Sequence, residues 1–134
     1  MGWTSITNSI SIEPIILYLS AIFWTLGYDT VYGLQDIHDD EIIGIKSTSI
    51  KFKNNVKVFV GTCYSLCVFL ILIMFFTMEI NKYLLLLTIP FIVSFIYQLK
   101  IFEVSNSESC LFAFKNNNLT GLLIFIFIFS FNIL

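Results

Sequence analysis

The chain reads as an all-α membrane protein, a bundle of about four transmembrane helices, and three observations predict it. Of its 134 residues, 57% are apolar and 12% charged, with a mean hydropathy of +0.90. Soluble domains typically run about 45–50% apolar and about 25% charged, so this chain lacks the charge to coat a water-facing surface. Its apolar residues also gather in four runs, each near the roughly 20 residues that cross a hydrocarbon core of about 30 Å. Phe alone supplies 15 residues, which suits lipid-facing packing. Seven lysines, no arginine and nine acids give a net charge of −2. No basic stripe exists to follow a phosphate backbone, so nucleic acid is not an expected partner, and a soluble enzyme is excluded. One transmembrane domain over 1–134 is the most this length holds.

The elements follow in order. Met1–Ser11 has neither a basic n-region nor an apolar h-region, so no cleavable signal peptide is read there. The first helix is expected over about 15–34, a run of 20 residues with Asp29 close to its end. A polar loop over about 35–55 carries Asp36, His38, Asp39, Asp40, Glu41, Lys46, Lys51 and Lys53. The second helix is expected over 56–78, with Lys57 at its mouth. Cys63 and Cys67 lie four apart within it, on one face, and read as small hydrophobes rather than as a metal pair. Glu79–Lys82 is a tight connection. The third helix, about 83–101, contains Pro90, which is expected to kink it and free a carbonyl. A second polar loop spans about 102–118 and holds Cys110, and no disulfide framework is read. The fourth helix, about 119–134, is short for a span at 16 residues.

Lysine placement predicts the orientation. Lys46, Lys51, Lys53, Lys57, Lys100 and Lys115 flank the two long loops, and only Lys82 lies opposite. This asymmetry places both long loops in the cytoplasm and both termini outside. Met1–Glu13 would then be translocated with Glu13 as its sole charge and no helix before it, which reads like the middle of a larger protein.

The stretch that carries chemistry runs from Gly27 to Glu41. If the first helix continues through it, Asp29, Gly33, Asp36 and Asp40 fall at i, i+4, i+7 and i+11 on one face, with Asp39 beside them. An ionisable residue within a membrane is costly and suggests function. Carboxylates so close repel one another unless a cation joins them, and hard oxygen ligands point to Mg²⁺. Such spacing at the mouth of a helical bundle is what a Mg²⁺–diphosphate site requires. Lys46, after the turn at Gly44, would bring a point charge to the same diphosphate. Tyr28 and Tyr32 offer aromatic faces suited to a cation.

Plainer readings exist for neighbouring features. Asp39 and Glu41, taken alone, read as a solvated face, and His38 as a loop residue. Gly44-Ile45-Lys46-Ser47-Thr48 fails the P-loop pattern, because no glycine directly precedes the lysine and no strand leads in. The sequon at Asn118-Leu119-Thr120 falls on the cytoplasmic side by the lysine count. Phe75-Phe76 and Phe125–Phe131 are simplest as lipid-facing packing.

These residues resemble a known family. Tyr28-Asp29-Thr30-Val31-Tyr32, then Gln35-Asp36-Ile37-His38-Asp39-Asp40 and Ile43-Gly44-Ile45-Lys46-Ser47-Thr48, look like the second aspartate-rich motif of the UbiA-superfamily intramembrane prenyltransferases. Within that family the likeness is greatest to the 4-hydroxybenzoate polyprenyltransferases of ubiquinone synthesis. The tail, with Cys110, Ala113-Phe114, Asn116-Asn117-Asn118 and Gly121-Leu122, is similar to the C-terminal segment of the same enzymes. The resemblance implies a bundle of nine helices with a cytoplasm-facing cavity, of which this chain corresponds to the last four. It implies an integral membrane location (the inner membrane in a bacterium), with polyprenyl diphosphate and 4-hydroxybenzoate, or another phenolic acceptor, as substrates.

The chemistry implied is ionisation of a Mg²⁺-held diphosphate to an allylic cation, which the ring carbon ortho to the phenol attacks. By the same resemblance, Asp36 and Asp40 match the metal-binding pair, with Asp39 adjacent, and Lys46 matches the diphosphate lysine. Asp29 matches the acid inside the membrane, a catalytic residue that would orient the phenol or support a metal ligand. The family's first motif, Asn-Asp-x-x-Asp, does not occur in these 134 residues. The chain is therefore expected to be inactive alone, with a separate N-terminal half as a partner. The rival readings are a non-catalytic membrane remnant, a prenyltransferase for another acceptor, and an ion-coupled transporter fragment using Asp29.

Overall fold

The structure is a computed structural model and describes residues 11–35, 37, 42, 44, 48–78 and 82–130. Among the described residues the regular elements are all helical. They are α1 (Ile12–Tyr32), the single turn α2 (Thr48–Lys51), α3 (Val56–Thr77), α4 (Thr88–Ile101), α5 (Ser107–Lys115) and α6 (Asn117–Ser130). Short 3₁₀ segments, Lys53–Asn55 and Lys82–Leu87, lead into α3 and α4. Four stretches are long and apolar enough to cross a membrane: Ile12–Tyr32, Val56–Thr77, Tyr83–Ile101 and Ser107–Ser130. The chain is an all-α membrane bundle.

The boundaries differ from expectation for identifiable reasons. Helix α1 starts at Ile12 rather than near 15, with Ser11 extended at the N-cap position and Glu13 in the first turn. Pro14 then falls in that first turn, where its missing N–H is one of the donors a helix leaves unpaired anyway. The third span is not kinked in mid-helix. Its start, Lys82–Leu87, is 3₁₀, and Pro90 sits in the first turn of α4. The Thr88 hydroxyl donates to the Leu85 carbonyl (2.7 Å) at this junction.

The expected loop over 102–118 is largely helix. Asn106 caps α5 by accepting from the backbone N–H groups of Glu108 and Ser109 at 3.1 and 3.2 Å. A short turn at Asn116 then passes the chain into α6, where the Thr120 N–H still reaches the Asn116 carbonyl (3.2 Å). The fourth span thus has 24 residues rather than the 16 expected. At 1.5 Å per residue that is about 36 Å, enough to cross. Residues 131–134 and the connection at 79–81 lie outside the described residues.

The core explains how the helices hold one another. Helix α1 packs mainly on α3, where a Cβ on Gly27 would lie 2.6 Å from Tyr64 Cε1. Only glycine lets the two helices approach so closely, the small-residue packing typical of membrane bundles. Ring contacts continue the core: Tyr64 stacks on Phe95 (4.4 Å between centroids), and Phe91 and Phe75 meet Phe127 at 5.6 and 6.1 Å. A buried polar chain crosses three helices. Tyr64 Oη donates to Gln98 Oε1 (2.8 Å), Gln98 Nε2 donates to Thr120 Oγ1 (2.8 Å), and Asn116 Nδ2 donates to Ser94 Oγ (3.3 Å). The Ser94 and Thr120 hydroxyls join the last two links. Buried side chains in an apolar medium need such partners, because no water is present to replace them.

Candidate functional site

Of the site expected from the sequence, the described residues Tyr28, Asp29 and Tyr32 lie at the C-terminal end of α1. Asp29 lies in the last turn of that helix, with Gly33 as C-cap donating its N–H to the Asp29 carbonyl (2.9 Å). Its side chain is exposed. A helix ends in partial negative charge, and the last turn of α1 carries no basic residue to answer it. The Asp29 carboxylate therefore adds charge where the backbone already disfavours it, and a cation at this end would relieve both. Asp29 lies within the apolar stretch Ile12–Tyr32, in its last turn.

The two flanks of Asp29 are built differently. On one side is an aromatic wall. Tyr32 lies 4.8 Å from Phe114, Tyr28 lies 5.8 Å from the same ring, and Trp24 meets Tyr28 edge-on at 5.9 Å. Trp24 is itself fixed by its indole N–H donating to Asn117 Oδ1 (3.2 Å). Tyr28 and Tyr32 form this wall together with Phe114, on α5. Phe114 stood in the tail that resembles the family, yet nothing in its spacing ties it to Tyr28 and Tyr32. Only the docking of α5 on α1 brings the three together.

On the other flank, α2 folds back against the end of α1. The Ser49 hydroxyl donates to the Thr30 carbonyl (2.8 Å), and the Thr30 and Thr48 hydroxyls are 2.9 Å apart. The sequence gives no sign of this contact, since the residues lie 18 and 19 apart. Helix α1 itself ends at Tyr32 and gives way to a turn over 33–35. The single helical face expected to run from Asp29 to Asp40 is therefore continuous only as far as this turn. Asp36, Asp39, Asp40 and Lys46, expected to hold Mg²⁺ and the diphosphate, lie outside the described residues, as does His38. Among the described residues no group of three His, Cys, Asp or Glu is arranged to hold a metal ion. Gln35, next to Asp36, has a buried amide nitrogen without an acceptor among the described residues. A carboxylate or diphosphate oxygen at this end of α1 would satisfy it.

Comparison with known proteins decides the family. The UbiA prenyltransferase family matches residues 1–131. The chain belongs to the UbiA prenyltransferase family. Relatives named 4-hydroxybenzoate octaprenyltransferase are 33% identical to it in Sodalis glossinidius, over 94% of this chain and 43% of the relative. In Providencia stuartii the identity is 33%, over 96% of this chain and 45% of the relative. In Francisella tularensis subsp. novicida it is 32%, over 94% and 44%. This member of the family therefore spans under half the length of the curated relatives it matches. No solved structure matches it.

The cysteines play no part in this region. Cys63 and Cys67 are buried in α3, and both are free, as expected of small hydrophobes. Cys110 is buried rather than exposed in a loop, its Sγ lying 3.3 Å from the Glu103 carbonyl as α5 packs inward.

Proposed function

We propose that this chain is the C-terminal part of an intramembrane enzyme that transfers a polyprenyl group from polyprenyl diphosphate to the ring of 4-hydroxybenzoate, with Mg²⁺, in ubiquinone biosynthesis. One observation carries the reading: the match to 4-hydroxybenzoate octaprenyltransferases extends over 94–96% of this chain and includes the acidic stretch after α1. The exposed acid in the last turn of α1, and the buried Gln35 amide nitrogen that has no acceptor among the described residues, support a cation and an anion near this end of α1. In this reading the polar segment between α1 and α3 faces the cytoplasm, in a bacterium at the inner membrane, because with its flank it carries most of the lysines.

In this reading Asp36 and Asp40, with Asp39, would hold Mg²⁺ through carboxylate oxygens, and Lys46 would bind the diphosphate. Mg²⁺, when bound, neutralises the diphosphate and makes it a leaving group. The allylic C–O bond breaks and its electron pair leaves with the diphosphate. The cation left behind faces the aromatic wall of Tyr28, Tyr32 and Phe114, whose ring faces attract positive charge. The ring carbon ortho to the phenol then forms the new C–C bond and loses its proton. Asp29, next in sequence to Tyr28 of the wall, would orient the phenol or support a metal ligand.

The family's first motif is absent from the 134 residues, so a complete diphosphate clamp needs carboxylates from a second segment. The test is co-expression of this chain with a segment bearing Asn-Asp-x-x-Asp, in membranes given labelled polyprenyl diphosphate, 4-hydroxybenzoate and Mg²⁺. Prenylated 4-hydroxybenzoate formed only by the pair supports the reading. Product with another phenol alone would move the acceptor assignment, and no product from any acceptor would favour a non-catalytic remnant.

A further inference from the structure

We infer that Thr30, Gly33, Thr48 and Ser49 form a clasp joining the two ends of the acidic segment, and that Thr48 and Ser49 are positioning residues for its ligands. This inference rests on the functional reading above and adds residues to which that reading gives no role. The clasp starts from backbone chemistry. The last carbonyls of a helix have no partner within it. In α1 the Leu34 N–H, which would ordinarily bond to the Thr30 carbonyl, bonds instead to Val31 (3.3 Å), and Gly33 bonds to Asp29. The Thr30 carbonyl is thereby left for another donor, and the Ser49 hydroxyl supplies it at 2.8 Å. Thr30 Oγ1 donates to the Leu26 carbonyl (2.7 Å), so its single proton is used. Thr48 must then be the donor in the 2.9 Å contact between the two threonine hydroxyls.

Both members of the main bond are sealed from solvent: Thr30 is 0% exposed and Ser49 1%. Gly33 completes the arrangement, since a Cβ there would lie 2.5 Å from Ser49 Oγ. The residues joined flank the expected ligands in sequence. Asp29 adjoins Thr30, Asp36 follows Gly33, and Lys46 precedes Thr48 by two positions. Two hydrogen bonds and one close approach thus set how far apart the two ends of the segment stand. Partners of this kind, which touch no ligand but fix the chain that bears them, commonly change metal affinity when removed.

The experiment uses the purified chain in lipid nanodiscs, with Mn²⁺ as the spectroscopic probe and inorganic diphosphate present, reading free Mn²⁺ by electron paramagnetic resonance. Ser49→Ala and Thr48→Val should each raise the Mn²⁺ midpoint roughly tenfold while the helical circular dichroism is unchanged. Thr48→Ser, which keeps the hydroxyl, should restore the wild-type midpoint. Gly33→Ala should weaken binding in the wild-type background and do little further in Ser49→Ala, where the colliding oxygen is gone. If Ser49→Ala and Thr48→Val leave the midpoint unchanged while Asp36→Asn or Asp40→Asn abolishes binding, the clasp is wrong and the functional reading stands. If the wild-type chain binds no Mn²⁺, the clasp arranges no ligands and is wrong, while if it binds and the aspartate variants bind as it does, the functional reading falls and the clasp's role with it.

Discussion

Asp29 is an acid placed where its own helix resists one. Its position in the last turn of α1 costs about 0.3–1 kcal/mol against the helix dipole, a cost that a nearby cation removes. Asp36 and Asp40 are the metal ligands of the proposed reading. In the assembled enzyme, Asp36→Asn or Asp40→Asn should lower turnover by about 10²–10³ while the protein stays in the membrane, as measured by product formation at limiting Mg²⁺. Gly27 carries a structural prediction at the same scale. Gly27→Ala places a methyl 2.6 Å from Tyr64 Cε1, and the crowded α1–α3 seam should lose about 1–3 kcal/mol in a denaturant titration of the chain in mild detergent. Asp29, Tyr28 and Tyr32 were legible in the sequence because acids and aromatics near the end of an apolar run are conspicuous. Thr30 and Ser49 were not, since hydroxyl residues are common in loops and their pairing depends on a fold-back across 19 positions.

Among the elements, α4 and α5 show how local chemistry resolved two expectations differently. Pro90 was expected to break a helix, yet the helix begins just before it, so its missing N–H costs no internal bond. The polar residues of 102–118 were expected to form a loop. They form α5 instead, because Asn106 caps it and because Cys110 and Ala113 give it a face to bury. Asn106→Ala should therefore destabilise the chain by about 1 kcal/mol and raise amide hydrogen exchange over the first turn of α5. The polar chain through Gln98 ties α3, α4 and α6 together inside the bundle. Gln98→Leu leaves the Tyr64 and Thr120 hydroxyls without that partner and should cost about 1–2 kcal/mol, read by the same denaturant titration.

Across the whole molecule, one surface of α1 is left uncovered by its neighbours. Tyr18, Ile22, Thr25, Asp29 and Tyr32 recur at four- and three-residue spacing and are all exposed, whereas Ser20, Gly27, Thr30 and Val31 face α3 and the core. A stripe that contains a carboxylate suits a cavity wall better than a lipid contact. The chain also spans only 43–45% of the relatives named above. The expected outcome is that the purified chain by itself forms no prenylated product from polyprenyl diphosphate and 4-hydroxybenzoate, and that activity returns only with a segment supplying the first aspartate motif. Product from the chain alone, measured by chromatography of the labelled lipid, would show that a single aspartate-rich segment suffices.

By itself the sequence determined the membrane class, the number of spans and the family. Those depend on composition, on the length of apolar runs and on residue identity, all of which are local to the chain. The tertiary structure decided which stripe of α1 is buried, that Phe114 joins Tyr28 and Tyr32 in one wall, and that Ser49 closes the end of α1. Each of those depends on how helices distant in sequence pack, and packing is set by shape and by the pairing of buried polar groups rather than by any periodicity along the chain.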